Sequence, residues 1–591
     1  MCGIAGIMTA TGLAPDQRVL KMLSDALEHR GPDGRGQHVA GSVGLVQTRL
    51  AIIDLETGDQ PLFAQTADGN NAALVANGEI YNFIELRAEM GEIGFATKSD
   101  CEPPLHLYLQ HGSDYTRHLR GMYSIAIHDP DRDRLVLSRD PFGIKPIYYI
   151  ENEAGFAFAS EPQALITAGL AAPVLRSGPR DELLQLQFTT GAATVFEGIE
   201  RVLPGETIVV ENGRIIERHH RPALPDAAPV ATGAADALAE LDRILNDSVG
   251  IHQRSDVPFA MFLSGGVDSS VLLAMMARLN ERPVRAYTAG FPGTAARDER
   301  EHARMVAKAT RADHVEVAFD EADFWNLLPE IAAAMDDPVA DYAVLPTYKL
   351  AGAVRADGLK VVLSGEGGDE LFAGYGRYRT ATRRWPLAKP MRRKGIFDGL
   401  DVLRDPDKAR SWRAGIERAE SAFDQRGLTG LQVMQAVDCA DWLPHDLLGK
   451  LDRCLMAHGV EGRVPFLDQH MAEFAFRLPD SLKLKRGLGK WILRRWLETG
   501  LPVSKPFAKK RGFTVPVGEW IASRGTQLGA LVAAQPGIAE ICQAGAVEKL
   551  FASGGKKQGK AAWTLLFYAL WHRRHILGLA PTGDVFETLA G

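Results

Sequence analysis

The hydrophobic pattern of the chain changes once, and that change limits it to two unlike folds joined end to end. Up to about residue 215, short runs rich in apolar and β-branched residues follow one another closely: Cys2–Thr9, Val43–Thr48, Ala72–Ala76, Met122–His128, Arg134–Ser138 and Phe156–Ala159. Pro130-Asp131 and Asn212-Gly213 fall between such runs, and Asn-Gly suits the left-handed turn of a tight hairpin. Helical spacing is confined to Val19–His29, Ile84–Met90 and Leu105–Leu109. Strands this dense, with so few helices between them, predict an α+β unit of antiparallel sheets flanked by helices.

Residues 219–235 carry Pro222, Pro225 and Pro229, several alanines and little periodicity, which marks a linker. From Ala237 strands and helices alternate. Phe259–Leu263, Val284–Gly290, His314–Phe319 and Leu359–Leu363 read as strands, with helices at Ser269–Leu279, Glu299–Thr310, Phe324–Met335 and Ala343–Arg355. This is the pattern of an α/β domain with a doubly wound parallel sheet. Beyond Gly376 the chain reads as mostly helical, and Gly554–Lys560 as a flexible loop. The expected division is 2–215, a linker at 216–236, and 237–591.

Composition excludes several classes. A net charge of -7 argues against a nucleic-acid binder. No apolar run is long enough to span a membrane, and the start lacks the basic region of a secretory signal. The five cysteines are scattered and form no C-x-x-C, so a reducing, cytoplasmic setting is expected.

Cys2 directly follows Met1 in Cys2-Gly3-Ile4-Ala5-Gly6-Ile7. A small residue at position 2 permits removal of the initiator methionine. Cysteine would then carry a nucleophilic thiol and a basic α-amine on one carbon. Arg49, Asn77-Gly78-Glu79 and Ser99-Asp100 stand at the ends of predicted elements, where sites tend to be built. A thiolate attacking an amide creates an oxyanion, for which Asn77 and Gly78 could supply a side-chain amide and a backbone N–H. Arg49 suits a substrate carboxylate, and Glu79 and Asp100 suit an ammonium.

Together with His29-Arg30-Gly31-Pro32-Asp33-Gly34, Asn77-Gly78-Glu79-Ile80-Tyr81-Asn82 and Arg139-Asp140-Pro141-Phe142-Gly143, these residues resemble the glutaminase domain of class II glutamine amidotransferases. The resemblance implies Cys2 as nucleophile, Asn77 and Gly78 as oxyanion hole, and Arg49, Asn77, Gly78, Glu79 and Asp100 as glutamine binders. Pro103-Pro104 depart from the family pattern, but proline is tolerated in a first helical turn.

The second half carries Leu263-Ser264-Gly265-Gly266-Val267-Asp268-Ser269 between a strand and a helix. Glycines there let backbone N–H groups approach an anion at a helix N-terminus. The Gly-Lys-Ser/Thr ending of a Walker loop is missing. Ser364-Gly365-Glu366-Gly367-Gly368-Asp369-Glu370 follows another strand, at the end where open sheets bind ligands. Asp268 and Asp369 could hold Mg²⁺ between phosphates, and Glu366 could act as a base toward ammonia.

The loop resembles that of ATP pyrophosphatases. With Glu461-Gly462-Arg463-Val464-Pro465-Phe466-Leu467-Asp468, Gly489-Lys490-Trp491-Ile492-Leu493-Arg494 and Lys510-Arg511-Gly512-Phe513-Thr514-Val515-Pro516, nearly the whole chain resembles glutamine-hydrolysing asparagine synthetases. That implies ATP as substrate and an ATP and pyrophosphate site at Leu263, Ser264, Gly265, Gly266, Val267, Asp268, Ser269, Ser364, Gly365 and Lys490. Lys490 would stabilise the leaving pyrophosphate. It further implies Mg²⁺ at Asp268 and Asp369, glutamine and aspartate as the other substrates, and a homodimer. Amidation of a different carboxylate, such as a sugar acid or peptide, remains open, as does a non-catalytic storage or regulatory relative.

Overall fold

In a computed structural model the structure describes residues 2–91, 93–294, 299–380, 390–405, 408–424, 427–508 and 515–591. The first half contributes β1 (Gly3–Thr9), β2 (Gly34–Ala40), β3 (Val43–Arg49), β4 (Leu62–Gln65), β5 (Asn71–Ile80), β6 (Gly121–Asp129), β7 (Arg134–Arg139), β8 (Tyr148–Asn152), β9 (Gly155–Ala159), β10 (Glu200–Arg201), β11 (Glu206–Glu211) and β12 (Arg214–His220). They form two six-stranded sheets, β10-β8-β9-β1-β3-β2 and β12-β11-β7-β6-β5-β4. The ladders are antiparallel, as in β1 with β3 and β5 with β6.

Side chains alternate across these strands. Ile4 and Met8 of β1 meet Ala73, Val75, Leu135 and Leu137 of the other sheet in an apolar layer between the two. Ala5 and Ile7 point the other way, toward Leu20 and Leu23 of the helix Gln17–Ala26. On the far side, Leu86, Leu105 and Tyr108 from the helices Phe83–Met90 and Pro103–His111 cover Leu74 and Ile125. Pro103 and Pro104 lie in the first turn of their helix, where no intrahelical N–H bond is lost. Asn212 and Gly213 both take positive φ, 49° and 70°, and close the β11–β12 hairpin.

The second half holds β13 (Phe259–Phe262), β14 (Arg285–Gly290), β15 (Asp313–Ala318), β16 (Val361–Leu363) and β17 (Glu461–Arg463). The order is β15-β14-β13-β16-β17 and every pair is parallel. β13, β14 and β15 run outward to one edge, and β16 then returns to the other side of β13. The carboxyl ends of β13 and β16 therefore border the crevice where strand order reverses, the usual ligand position in open α/β sheets. The two glycine-rich motifs lie there, one after each strand. β17 was not foreseen: Glu-Gly-Arg has no alternating pattern, and only its pairing with β16 makes it a strand.

Two expectations are corrected. β12 continues to His220 against β11, and the helix Ala234–His252 begins ahead of residue 237, so irregular backbone spans only 221–233 of the expected linker. Gly554–Lys560 is not a loop throughout, because the helix Lys556–His575 starts inside it. Trp563, Phe567 and Trp571 of that helix are fully buried and anchor it, which carries its polar first turn along. Among the described residues no helix is long and apolar enough to cross a membrane.

Trp571 is 0% exposed and its Nε1 donates to the Met335 carbonyl at 2.8 Å. Trp571→Ala removes a large buried side chain and orphans that acceptor. It is expected to cost about 3–5 kcal/mol, read as a lowered urea midpoint for the transition of the C-terminal half.

Candidate active sites

Cys2 immediately precedes β1 and is 7% exposed. Its backbone nitrogen donates to Asn77 Oδ1 at 3.1 Å. Asn77 is fully buried, and its Nδ2 has no hydrogen-bond partner among the described residues. A buried donor without an acceptor, beside a thiol, is what a developing oxyanion would complete. Burial pushes the Cys2 thiol up, while the Leu50 amide and the Arg49 charge oppose that push.

Asn77, Gly78 and Glu79 lie in β5, paired to Ser124, Tyr123 and Met122 of β6. A Cβ at Gly78 would lie 2.1 Å from the Met122 carbonyl oxygen, so the close approach of β6 demands glycine. Arg49 ends β3. Its guanidinium donates to Asp59 Oδ1 at 2.7 Å, to the Ile53 carbonyl at 3.3 Å and to the Asp54 carbonyl. Asp100 Oδ2 accepts the Ile80 N–H at 2.7 Å. Burial lifts the Asp100 carboxyl to about 6, with the Ile80 N–H pulling against it. Burial also lifts Glu79 well above the carboxylate range, helped by Glu461 and Asp100 and opposed by Arg463. The structure thus gathers Cys2, Arg49, Asn77, Gly78, Glu79 and Asp100 into one buried cluster.

Two arginines without an assigned role join it. Arg30 Nε donates to the Cys2 carbonyl at 3.3 Å, and its Nη1 pairs with Glu161 at 2.6 Å and Asp452 at 2.8 Å. Arg463 Nη2 lies 3.2 Å from Glu79 Oε2. Both stand in recurrent motifs, but their partners are too distant in sequence for spacing to reveal them.

The second cluster opens on the crevice between β13 and β16. Hydroxyls shape the first loop: Ser269 Oγ donates to the Ser264 carbonyl at 2.9 Å, and the Gly266 N–H donates to Ser264 Oγ at 3.1 Å. The Gly265 N–H donates to Glu299 Oε2 at 3.1 Å. Leu263 is buried, its N–H donating to the Tyr287 carbonyl at 2.8 Å. Val267 begins the helix Val267–Leu279.

Lys490 holds a positive φ of 57° just before the helix Trp491–Gly500. Its ammonium sits between Asp268 Oδ2 and Asp369 Oδ1, the latter at 2.7 Å. Burial alone would depress that ammonium, but the two carboxylates outweigh it and hold it above its ordinary value. Gly374 makes room: a Cβ there would lie 1.8 Å from Asp369 Oδ1 and 2.2 Å from Lys490 Cε. Two carboxylates that converge on one cation are a hard-oxygen pair suited to Mg²⁺, which draws its other ligands from phosphate and water.

Asp268, Asp369 and Lys490 line a cavity of about 400 Å³ with Ser264, Gly265 and Arg494. Glu299, His302 and Lys505 also border it, and no local pattern in the sequence singles them out. On the loop after β16, the Ser364 N–H donates to the Arg463 carbonyl at 2.8 Å, and a Cβ at Gly365 would lie 3.1 Å from Asp268 Cβ. Glu366 is half-buried, and its Oε2 has no hydrogen-bond partner among the described residues. Lys510-Arg511-Gly512-Phe513-Thr514 lie outside the described residues.

Comparison with known proteins matches residues 240–573 to the asparagine synthase family and residues 1–221 to the glutamine amidotransferase domain. The chain is 29% identical to asparagine synthetase [glutamine-hydrolyzing] 1 of Bacillus subtilis, over 98% of this chain and 97% of that protein. It is 30% identical to asparagine synthetase B [glutamine-hydrolyzing] of Escherichia coli, over 88% and 83%. It is also 30% identical to the amidase chyE of Penicillium rubens, over 82% and 83%.

The Asp100 carboxyl should leave a signature in stability. Its folded pKa of about 6 lies above the ordinary 3.8, so the fold favours the protonated acid. Its contribution is complete below 3.8 and is lost as pH rises through about 6. Thermal midpoints of the parent and Asp100→Asn, taken from about pH 4 to about pH 7, are expected to show the parent losing stability relative to the variant.

Proposed function

The chain belongs to the family of glutamine-hydrolysing asparagine synthetases, and we propose that it converts L-aspartate, glutamine and ATP to L-asparagine, glutamate, AMP and pyrophosphate. One juxtaposition carries this reading. A buried thiol with an unpaired amide donor beside it shares a chain with a lysine held by two carboxylates at the switch point of a parallel sheet.

On this reading residues 2–215 are the glutaminase and 237–591 the synthetase. Removal of Met1 leaves the Cys2 α-amine free to take the thiol proton. The thiolate attacks the glutamine side-chain carbonyl, and the oxyanion is met by Asn77 Nδ2 and the Gly78 N–H. The tetrahedral species collapses to a thioester as the α-amine returns the proton to departing ammonia. Water then releases glutamate. Arg49 pairs with the substrate α-carboxylate, and Glu79 and Asp100 face its α-ammonium.

In the second site the β-carboxylate of aspartate attacks the α-phosphorus of ATP. This expels pyrophosphate and leaves a β-aspartyl-AMP, a carboxyl carbon with a good leaving group. The Ser264–Ser269 loop cradles phosphate oxygens, and Lys490 turns from its carboxylates toward the departing pyrophosphate. Mg²⁺ held by Asp268 and Asp369 would neutralise phosphate charge. Ammonia attacks the activated carbon, Glu366 takes a proton from the nitrogen, and the C–O bond to AMP breaks to release AMP and asparagine. Five free, buried cysteines support a reducing, cytoplasmic setting, and a homodimer belongs to the same reading.

A second reading, amidation of a different carboxylate, is favoured by the similarity to an amidase of comparable identity and coverage. Aspartate-dependent pyrophosphate release separates the two. Release with aspartate supports asparagine synthesis. None above background, in a preparation whose glutaminase is active, supports the other acceptor.

Cys2→Ala is expected to abolish glutamine-dependent synthesis and to leave ammonia-dependent synthesis, measured at mildly alkaline pH with each nitrogen source. Loss of both in a folded variant would refute two separate sites. Nucleotide chromatography after turnover is expected to show AMP. Stoichiometric ADP would refute the pyrophosphatase chemistry, and Asp268→Ala should stop cleavage while sparing glutaminase activity.

A further inference from the structure

Arg463 lies on β17, the edge strand that the synthetase half adds to its sheet, and it is 0% exposed. Its Nε donates to Glu461 Oε1 at 2.6 Å. Its Nη1 donates to the carbonyls of His252 at 2.9 Å and Arg254 at 2.6 Å. These three partners belong to its own half and fix the plane of the guanidinium. The remaining nitrogen, Nη2, lies 3.2 Å from Glu79 Oε2 across the domain boundary, an ion pair whose two atoms make no hydrogen bond among the described residues.

Glu79 needs this contact. It is 4% exposed, and two other carboxylates, Glu461 and Asp100, press on it. Burial and these like charges lift the Glu79 carboxyl well above its ordinary range, and Arg463 is the main side-chain cation working against that lift. The Tyr81 ring lies 5.7 Å from the Arg463 guanidinium and packs at a 39° tilt against His252.

We propose that Arg463 is a positioning residue for glutamine recognition: a side chain of the synthetase half supplies the counter-charge that orients the Glu79 carboxylate toward the α-ammonium of glutamine bound in the other half. The glutaminase site is then complete only when the two halves are docked. The inference rests on the reading of Glu79 as a glutamine binder. It adds that the affinity of that site is set from outside its own domain.

The test is steady-state glutaminase kinetics on the full-length chain, with glutamate release as the readout and thermal melts to establish folding. Removing Arg463 alone would take a hydrogen-bonded cation from the buried Glu461 carboxylate, so two gentler variants are used. Arg463→Lys keeps one charge, but a single ammonium cannot span Glu461 and Glu79 as the fork does. Arg463→Met combined with Glu461→Gln removes both members of the buried pair.

In each, the KM for glutamine is expected to rise about tenfold while kcat changes by less than about threefold, as befits loss of a charge-assisted contact that serves binding. Arg463→Lys is expected to be the milder of the two. Glu79→Gln should raise KM as well. If Glu79→Gln raises KM while both folded Arg463 variants stay within about twofold of the parent, the proposal is overturned and the glutamine reading of Glu79 stands. An unchanged KM in Glu79→Gln would overturn that reading and the proposal with it. A fall in kcat at constant KM would show a structural role for Arg463 and overturn the proposal alone.

Discussion

A guanidinium cannot be buried without partners, and this structure buries several between its halves. Arg30, Arg201, Arg453 and Arg463 are each 3% exposed or less, and Arg201 pairs with Asp337 at 2.7 Å. Arg30 reaches Asp452 of the second half, Arg453 pairs with Asp336 at 2.7 Å and lies 3.8 Å from Glu161, and Arg463 reaches Glu79. Removing one partner of such a pair leaves an uncompensated charge in a low-dielectric interior, a cost of several kcal/mol. The two halves are therefore matched to each other in register as well as in shape. Hydrophobic contact alone would tolerate a slide that these pairs forbid.

That matching ties the two sites to one interface. Arg30 touches the Cys2 carbonyl on one side and Asp452 on the other. The Arg463 side chain faces Glu79, while its own carbonyl accepts the Ser364 N–H of the loop after β16. A single residue thus contacts a carboxylate of the first cluster and the backbone of the second. The short strand β17 makes this possible. It fixes Arg463 at the edge of a rigid sheet, where neither contact can relax independently of the other.

Much of the architecture was legible because its physical cause is local. Alternating and β-branched runs announced the antiparallel sheets, and strand–helix alternation announced the parallel one. The thiol at position 2, the Asn77-Gly78 pair and the glycine loop at 264–266 carry their chemistry in neighbouring residues. What escaped was set by distant partners. Glu461–Arg463 has no strand pattern and becomes a strand only against β16. The glycines and lysines of 554–560 imitate a loop, while the helix that begins among them is held by Trp563 and Trp571. Glu299, His302 and Lys505 belong to no local signature, and only folding brings them to one cavity.

The Lys490 pair with Asp268 and Asp369 has an implication for how the second crevice behaves as an electrolyte. Two negative charges and one tethered positive charge make a nearly self-neutralised cell. A divalent ion arriving alone must displace a cation that cannot diffuse away, since the lysine side chain keeps it at high effective concentration. An ion arriving on polyphosphate brings the anion to which the ammonium can swing. The arrangement therefore favours exchange of counter-ions in a single event over stepwise filling, and on the proposed reading nucleotide and metal would enter best as one ion pair.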